Sequence, residues 1–312
     1  MARDGTGEGI TEVTAIARKR WFDATPVGKE GVTERYVVFG ESRRWLVNQM
    51  DLQENVDVLD LGSGHGFLTY ELTSRTKSRI TALDLLAGEQ LSDAMRGARE
   101  ARVNERISWT VGDARASPFR DGSSDAVVSF LALQDIHMIG GSNALSRVVQ
   151  ESCRLLKSGG MLLFADNMFP ESVHTGAQRL YWTLQSKEFQ AGLPSKKVLL
   201  NLLHENGMSD LRERGYEPDI GLDEKEARVE LLDVIEAKPF GKVIDFGSLW
   251  KRYGERIGRI GLAYPRVLSV TAYKREQQSG RMDPTLAKGE DIKVSSYEAH
   301  PVCSQAFLTF IS

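Results

Sequence analysis

The chain has 312 residues, of which 41% are hydrophobic and 27% are charged, a composition that excludes a wholly disordered protein. Its formal net charge of −3 argues against a protein whose main task is to neutralise the phosphates of DNA or RNA. The two cysteines, Cys153 and Cys303, lie far apart, so we expect neither a disulfide framework nor a zinc site and predict no metal.

The sequence gives no sign of export or membrane insertion. Its first residues, MARDGTGEGITEV, lack the apolar segment of a secretory signal. Apolar runs elsewhere, such as MLLFA at residues 161–165, are too short to span a bilayer. We therefore expect a soluble, cytoplasmic protein without a transmembrane segment.

Regular structure is predicted to begin with helices at residues 11–22 and 40–50. The first strong strand, VDVLDL at residues 56–61, is almost continuously apolar, which is typical of a strand buried on both faces of a parallel sheet. Four further strands are predicted at residues 79–85, 106–113, 125–133 and 161–166. The intervening helices are predicted at residues 67–75, 88–102 and 142–156. This alternation favours right-handed crossovers and an open, doubly wound α/β sheet.

The second half of the chain is less regular. Helices are predicted at residues 173–190, 196–208, 223–237 and 242–260. Two more strands, near residues 210–217 and at 266–274, would complete a mostly parallel sheet of seven strands. Ligands in such sheets bind beyond the carboxyl ends of the strands. We expect the helical insertions at about 173–190 and 223–260 to cover the substrate cleft there.

Three glycines follow the first strand in the segment VLDLGSGHGF. Gly62, Gly64 and Gly66 are each separated by one residue, whereas a dinucleotide-binding turn places its last glycine one residue later. No Lys-Ser or Lys-Thr pair follows them, which excludes a P-loop. Asp60 precedes the first glycine by two residues, and its carboxylate would repel a pyrophosphate but could hold an ammonium group directly or through water.

The pattern D-x-G-x-G-x-G from Asp60 to Gly66 resembles motif I of the class I S-adenosylmethionine-dependent methyltransferases. The resemblance implies that backbone N–H groups of the glycine turn meet the methionine carboxylate of this cofactor. A small anion at a helix N-terminus, beside an acid suited to the amino group, fits that arrangement.

Two further family elements stand at the ends of the next two strands. Asp84 ends the second strand, where the resemblance implies that its carboxylate accepts both ribose hydroxyls. Gly112, Asp113 and Ala114 resemble the family's G-D-A element. This resemblance implies that Asp113 takes the adenine amino group and that the N–H of Ala114 meets a ring nitrogen.

The last two elements contain the fourth and fifth predicted strands. The resemblance places Ser129 at the end of the fourth strand, lining the cofactor. The segment CRLLKSGGMLLFAD resembles the family's R-x-L-K-P-G-G turn, with Ser158 in place of the usual proline. Turn glycines and solvated acids of an ordinary α/β domain could explain any single element. Five elements in order favour a cofactor site instead, and the resemblance covers about residues 40–170.

The element after the fourth strand bears on the methyl acceptor. Methyltransferases of exocyclic base amines share an N/D-P-P-Y/F sequence there, whereas this chain has Ser-Phe-Leu-Ala at residues 129–132. A Pro-Cys nucleophile of the cytosine C5 type is also missing from the sequence. The pattern resembles the small-molecule branch of the family, which includes ubiquinone/menaquinone, sterol and natural-product methyltransferases. We therefore predict a small-molecule acceptor and do not expect nucleic acid.

His137, in the segment LQDIHM, is the candidate catalytic residue. The resemblance places it above the cofactor methyl group, where it could act as a base or orient the acceptor. The alternative is a loop histidine bonded to the backbone or to water. Asp135 and Asp166 also lie near the ligand edge, although strand-end acids often act as caps. Aromatic residues of the insertions could line an acceptor pocket or belong to the core: Tyr181, Trp182, Trp250, Tyr253 and Tyr264.

These interpretations divide the chain into three regions. Residues 1–50 would supply N-terminal helices to the cleft cover, residues 51–274 the cofactor-binding methyltransferase domain, and residues 275–312 a disordered tail. The predicted reaction is in-line transfer of a methyl group from S-adenosylmethionine to an O, N or C atom of a small molecule. The alternatives are a non-catalytic cofactor-binding subunit and a protein or RNA methyltransferase, and the oligomeric state is not indicated.

Overall fold

The strands of the main sheet lie where the apolar runs predicted them. The computed structural model describes residues 39–237 and 244–275, all within one compact unit. Its strands are β1 (Asp57–Leu61), β2 (Arg79–Asp84), β3 (Ile107–Val111), β4 (Ser124–Phe130), β5 (Leu156–Asp166), β6 (Met208–Tyr216), β7 (Gly221–Leu222), β8 (Leu262–Ala263) and β9 (Val267–Lys274). The short antiparallel pair of β7 and β8 is separate from the main sheet and was not predicted.

Seven strands join in the order β3-β2-β1-β4-β5-β9-β6. Strands β1 to β5 pair in parallel, and β9 runs antiparallel to both of its neighbours, β5 and β6. The predicted doubly wound, mostly parallel seven-stranded sheet is therefore confirmed. The strand order reverses between β1 and β4, so the crevice expected to bind a ligand opens at the carboxyl ends of these strands.

The helices also follow the predicted order. They are α1 (described over residues 39–47), α2 (Phe67–Arg75), α3 (Gly88–Glu100), α4 (Leu133–Leu155), α5 (Gly176–Lys187), α6 (Lys196–Glu205), α7 (Glu224–Ala237) and α8 (Phe246–Ile260). Short 3-10 turns cover Asn104–Arg106 and Pro170–Ser172. The predicted helix at residues 11–22 and the predicted tail beyond Arg275 lie outside the described residues, so the three-region division stays a prediction.

Helix α4 differs from its prediction because it consists of two segments. Gly140 (φ −143°, ψ 16°) and Gly141 (φ 61°, ψ −155°) have non-helical backbone angles and break it. The second segment follows Gly141 and corresponds to the helix predicted at residues 142–156. The first segment begins at Leu133 and was missed, because its sequence continues the apolar run of β4 without a turn signal.

The sheet is buried on both faces, as its apolar strands predicted. Successive side chains of a strand point to opposite faces. In β1, Val58 packs in a cluster with Leu72 of α2, whereas Leu59 packs in a cluster with Leu145 of α4. Helices on both faces thus hold the sheet and fix the strand ends that carry the predicted site residues.

A comparison of two glycine substitutions tests the packing at the start of α2. Gly66 has φ +80°, and a Cβ atom there would lie 2.5 Å from the Trp109 ring and 3.1 Å from Tyr70. Gly88 has φ +61°, but a Cβ atom there meets nothing within 4 Å. Gly66→Ala should lower the free energy of unfolding by about 1–3 kcal/mol more than Gly88→Ala, since both add left-handed strain but Gly66→Ala also adds overpacking.

Urea denaturation of the two variants measures the difference. Equal losses of stability in Gly66→Ala and Gly88→Ala would contradict the packing described around the glycine turn.

Candidate functional site

The loop between β1 and α2 contains the three predicted glycines, all with left-handed backbone. The φ angles are 73° at Gly62, 51° at Gly64 and 80° at Gly66. A Cβ atom on Gly62 would lie 2.4 Å from the Cβ of Ala132, which follows β4. The loop therefore passes against the start of α4 at a distance that only glycine permits.

The N–H groups of Gly62, Ser63 and Gly64 already donate hydrogen bonds within the protein. Gly62 and Ser63 both donate to the carbonyl of Leu83, at 2.9 and 3.1 Å. Gly64 donates to Oδ2 of Asp84 at 2.7 Å. The prediction was that the N–H groups of the turn bind a ligand carboxylate. In the structure the loop lies over the end of β2, and these N–H groups donate to Leu83 and Asp84 instead.

Asp84 lies at the end of β2 and is half-buried. Its Oδ2 accepts the N–H of Gly64 at 2.7 Å, and its Oδ1 accepts the N–H of Leu86 at 2.9 Å. Each carboxylate oxygen has about two lone pairs, so each oxygen can accept a further hydrogen bond. A fixed carboxylate with one acceptor direction open on each oxygen suits a pair of vicinal hydroxyls.

Asp60 lies beneath the glycine loop and is almost completely buried, with 1% relative exposure. Its Oδ2 accepts the hydroxyl of Thr69 at 2.5 Å, in the first turn of α2. Burial raises the pKa of Asp60 to about 7, against the opposing effect of the Thr69 hydrogen bond. The predicted direct contact with an ammonium group does not fit this position, because Asp60 has almost no surface that a ligand could touch.

The predicted Gly-Asp-Ala element directly follows β3 and is joined to β2. The N–H of Gly112 donates to the backbone carbonyl of Asp84 at 2.9 Å. The neighbouring carboxylate of Asp113 forms an ion pair with Arg115, and the hydrogen bonds from Arg115 lower the pKa of Asp113. The N–H of Ala114 makes no hydrogen bond within residues 39–237 and 244–275. Asp113 and Ala114 thus stand beside Asp84 at one edge of the sheet.

Arg115 was not singled out in the sequence. Its signal was present, since a basic residue two positions after an acid in a turn can fold back onto that acid. Arg115 is partly buried, with 26% of its side chain exposed. It is therefore part of the same edge and not a freely solvated charge.

Ser129 is fully buried near the end of β4, and its hydroxyl oxygen has no hydrogen-bond partner among the described residues. Two residues later, Leu131 adopts a left-handed φ of 56°, which is unfavourable for a residue with a branched side chain. The N–H of Leu131 donates to the carbonyl of Ala165 at 2.9 Å, and this hydrogen bond fixes the turn. Unsatisfied buried polar atoms and strained backbone concentrate at functional sites, so both features favour a ligand site at this strand end.

His137 lies in the first segment of α4, four residues after Leu133. Its Nδ1 atom is buried and has no hydrogen-bond partner among the described residues. Burial lowers the pKa of His137, against the opposing effect of hydrogen bonding with the backbone of Gly192. This arrangement suits a neutral imidazole whose Nδ1 can accept a proton.

Asp166 ends β5 and is fully buried. Its Oδ1 accepts the N–H of Met168 at 3.0 Å, and its Oδ2 accepts the N–H of Gln134 at 3.2 Å, in the first turn of α4. Burial raises the pKa of Asp166 to about 7. Asp166 therefore caps the helix segment that carries His137, and this capping role is one of the alternatives that the sequence left open. Asp135 is exposed.

Four of the five predicted aromatic residues of the insertions have their polar ends hydrogen-bonded within the protein. The hydroxyls of Tyr181 and Tyr264 both donate to the buried Glu230, at 3.0 and 2.9 Å. The indole N–H of Trp182 donates to a backbone carbonyl at 2.9 Å, and the hydroxyl of Tyr253 to a glutamate at 2.7 Å. Tyr181 and Tyr264 belong to the hydrophobic core, as the alternative interpretation of these aromatics held.

Two other features are absent from the part of the chain that the structure describes. None of its helices combines the length and the apolar character needed to cross a membrane. It also contains no group of three or more His, Cys, Asp or Glu side chains placed to hold a metal ion.

A seven-stranded sheet with one antiparallel strand, a glycine turn after β1 and acids at the ends of β2 and β3 defines the class I methyltransferase fold. Residues 59–164 match the model of a family described as "Methyltransferase domain". This segment of the chain therefore matches a methyltransferase domain, and the sheet around it has the class I fold.

Two characterised relatives match this part of the chain. A malonyl-acyl-carrier-protein O-methyltransferase of Methylococcus capsulatus is 31% identical over 153 residues, which cover 47% of this chain and 51% of that protein. A ubiquinone/menaquinone biosynthesis C-methyltransferase of Dinoroseobacter shibae is 28% identical over 145 residues, which cover 46% of this chain and 53% of that protein. The chain thus spans about half of the length of these relatives.

Two solved structures share the fold over more of the chain. The YcgJ protein of Bacillus subtilis has a TM-score of 0.55 at 17% identity, over 76% of this chain and 99% of that chain. Phosphoethanolamine N-methyltransferase 2 of Haemonchus contortus was solved with S-adenosyl-L-methionine. It has a TM-score of 0.53 at 18% identity, over 85% of this chain and 57% of that chain. Likenesses at this level of identity concern the fold alone.

The raised pKa of Asp166 predicts a pH dependence of stability. Its folded-state pKa of about 7 lies above the unfolded value of about 3.9, so the protonated carboxyl stabilises the fold at low pH. This contribution is lost as the pH rises from about 4 to about 7. Asp166→Asn should flatten the pH dependence of the free energy of unfolding in that window, by up to about 1.4 kcal/mol per pH unit.

Chemical denaturation across that pH window measures the slope. Asp121→Asn is the matched control, because the Asp121 side chain is 82% exposed and its replacement should leave the slope unchanged. The Asp60 carboxyl contributes a slope of the same sign in every variant. Identical slopes in the parent and Asp166→Asn would contradict a protonated Asp166.

Proposed function

We propose that this protein is an S-adenosylmethionine-dependent methyltransferase that moves a methyl group to an O, N or C atom of a small-molecule acceptor. The observation that carries the proposal is the junction at Asp84. Its carboxylate holds the glycine loop through Gly64, and its backbone carbonyl holds the Gly-Asp-Ala element through Gly112. Three segments that the family resemblance assigns to one cofactor are thereby brought to one edge of the sheet.

The donor and acceptor groups at this edge fit the cofactor. Asp84 has an open acceptor direction on each oxygen, which suits the two ribose hydroxyls. Asp113 can accept the adenine amino group, and the N–H of Ala114 can donate to a ring nitrogen. Ser129 is fully buried, so its predicted place in the lining of the cofactor site stays a prediction.

The protein's part in the reaction is alignment and exclusion of water. When bound, the cofactor supplies a methyl group on a positively charged sulfonium, which is already a good electrophile. An oxygen acceptor must lose a proton, and an ammonium acceptor must first become neutral. We assign this proton acceptance to the half-buried His137, whose lowered pKa favours the neutral imidazole and which stands on a capped helix segment.

The acceptor class rests on resemblance. One of the two relatives is named as a malonyl-acyl-carrier-protein O-methyltransferase and the other as a ubiquinone/menaquinone biosynthesis C-methyltransferase, which supports the small-molecule branch. We propose that the insertions holding α5, α7 and α8 cover the acceptor. The predicted cytoplasmic location stays a prediction.

Binding of the cofactor can be tested at Asp84. Asp84→Ala should weaken S-adenosylmethionine binding by roughly tenfold to a hundredfold, because a hydrogen bond to a charged group is worth about 1.5–3 kcal/mol. Isothermal titration calorimetry measures the affinity. Asp57→Ala is the matched control, since Asp57 lies at the opposite end of the neighbouring strand and pairs with Arg79.

The control should bind like the parent. A parent protein that is folded but shows no saturable binding would refute the proposed function. If Asp84→Ala binds S-adenosylmethionine as tightly as the parent, Asp84 does not accept the ribose hydroxyls.

Transfer can be tested at His137. Incubation with labelled S-adenosylmethionine and a metabolite extract identifies the acceptor by its label. With that acceptor, His137→Gln should lower the transfer rate by about 10²–10⁴-fold, as expected for loss of a general base. Cofactor affinity should be almost unchanged, and the parent rate should rise with pH through a value below the ordinary histidine pKa.

His204→Gln is the control, because His204 is exposed on α6. Equal rates in His137→Gln and the parent would exclude His137 as the base. A parent that binds the cofactor but labels no acceptor would favour the non-catalytic alternative.

A further inference from the structure

The carboxylate of Asp113 is held by Arg115 through an unusually complete set of contacts. The backbone N–H of Arg115 donates to Oδ1 at 2.8 Å. Its Nε donates to Oδ1 at 2.9 Å and to Oδ2 at 3.0 Å. Its Nη2 donates to Oδ2 at 2.7 Å. The planar guanidinium therefore lies in a fork-to-fork arrangement with the carboxylate, which fixes geometry as well as charge.

These contacts decide which acceptor direction remains open. A carboxylate oxygen has about two acceptor directions, and both directions on Oδ1 are taken by donors of Arg115. Oδ2 receives Nη2 at 2.7 Å and only a share of the Nε hydrogen, at 3.0 Å, so the three donors of Arg115 leave about one of the four acceptor directions, on Oδ2. A ligand donor can therefore meet Asp113 at one oxygen and from one side.

Arg115 is itself confined on its outer edge. A Cβ atom on Gly140 would lie 3.4 Å from Nη1 of Arg115, so the guanidinium lies against the break in α4. With the carboxylate on one edge and the helix break near the other, the guanidinium has little freedom to rotate. The side chains of Asp113 and Arg115 are 32% and 26% exposed, which leaves part of the pair accessible.

We propose that Arg115 is a positioning residue that makes Asp113 selective for the exocyclic amino group of adenine. The proposal rests on the proposed function, because it assumes that Asp113 faces the adenine of the cofactor. A carboxylate with two freely rotating oxygens would accept a donor in several orientations. The fork of Arg115 leaves one acceptor direction, so a purine that lacks a donor at C6 leaves that direction unmatched.

The test compares two ligands that differ at one position. S-adenosylhomocysteine carries the 6-amino group, and its analogue with hydrogen at C6 keeps the ring nitrogens but lacks the donor. Isothermal titration calorimetry with both ligands gives a discrimination ratio for each variant. The parent should prefer the amino-bearing ligand by about tenfold or more, and Arg115→Gln should reduce the ratio to about threefold or less.

Two further variants separate positioning from charge. Arg147→Gln removes an exposed positive charge that also acts on Asp113 but makes no hydrogen bond to it in the described residues, so its ratio should match the parent. Arg115→Lys keeps the charge without the fork and should give an intermediate ratio. Loss of the guanidinium raises the pKa of Asp113. As the pH is lowered, the affinity of Arg115→Gln for the amino-bearing ligand should therefore begin to fall at a higher pH than that of the parent.

The outcomes are distinguishable. An unchanged ratio in Arg115→Gln, or an equal loss of affinity for both ligands, would overturn the positioning role. Tighter binding of the amino-bearing ligand by Arg115→Gln would also overturn it, since Arg115 would then compete with adenine for Asp113. A folded parent that binds neither ligand would instead refute the proposed function.

Discussion

The Asp84 carboxylate accepts the N–H of Gly64 at 2.7 Å, and this bond joins the loop after β1 to the end of β2. The backbone carbonyl of the same residue accepts the N–H of Gly112 at 2.9 Å, which joins the end of β3. Parallel pairing aligns these strand ends, but it does not orient the loops that leave them. Asp84 supplies that orientation, and the groups proposed to hold ribose and adenine depend on it.

Desolvation shapes the layer beneath this edge. Asp60 and Asp166 are buried at the ends of β1 and β5, and burial raises the pKa of each to about 7. Both accept hydrogen bonds from the first turns of helices, one through Thr69 and the other through Gln134. They therefore anchor α2 and α4 and leave contact with a ligand to the half-buried acids Asp84 and Asp113, whose carboxylates remain accessible.

Much of this arrangement could be predicted from the sequence, because the apolar runs and turn glycines are local signals. The main strands, the glycine turn and the placement of Asp84 and Asp113 at neighbouring strand ends were predictable for that reason. The burial of Asp60 and the use of the Gly64 N–H by Asp84 were not, since both depend on partners distant in the chain. The two consecutive glycines inside α4 were visible, but the turn after β4 carries no Gly or Pro to show where the helix begins.

The central claim is that the ends of β1, β2 and β3 form one nucleoside-binding site. A crystal structure of the protein with S-adenosylhomocysteine tests it most directly. We predict both ribose hydroxyls within about 3.2 Å of the Asp84 carboxylate oxygens, and the adenine amino group within the same distance of Oδ2 of Asp113. Electron density for the nucleoside at another part of the sheet, with Asp84 bonded only to Gly64 and Leu86, would contradict the claim.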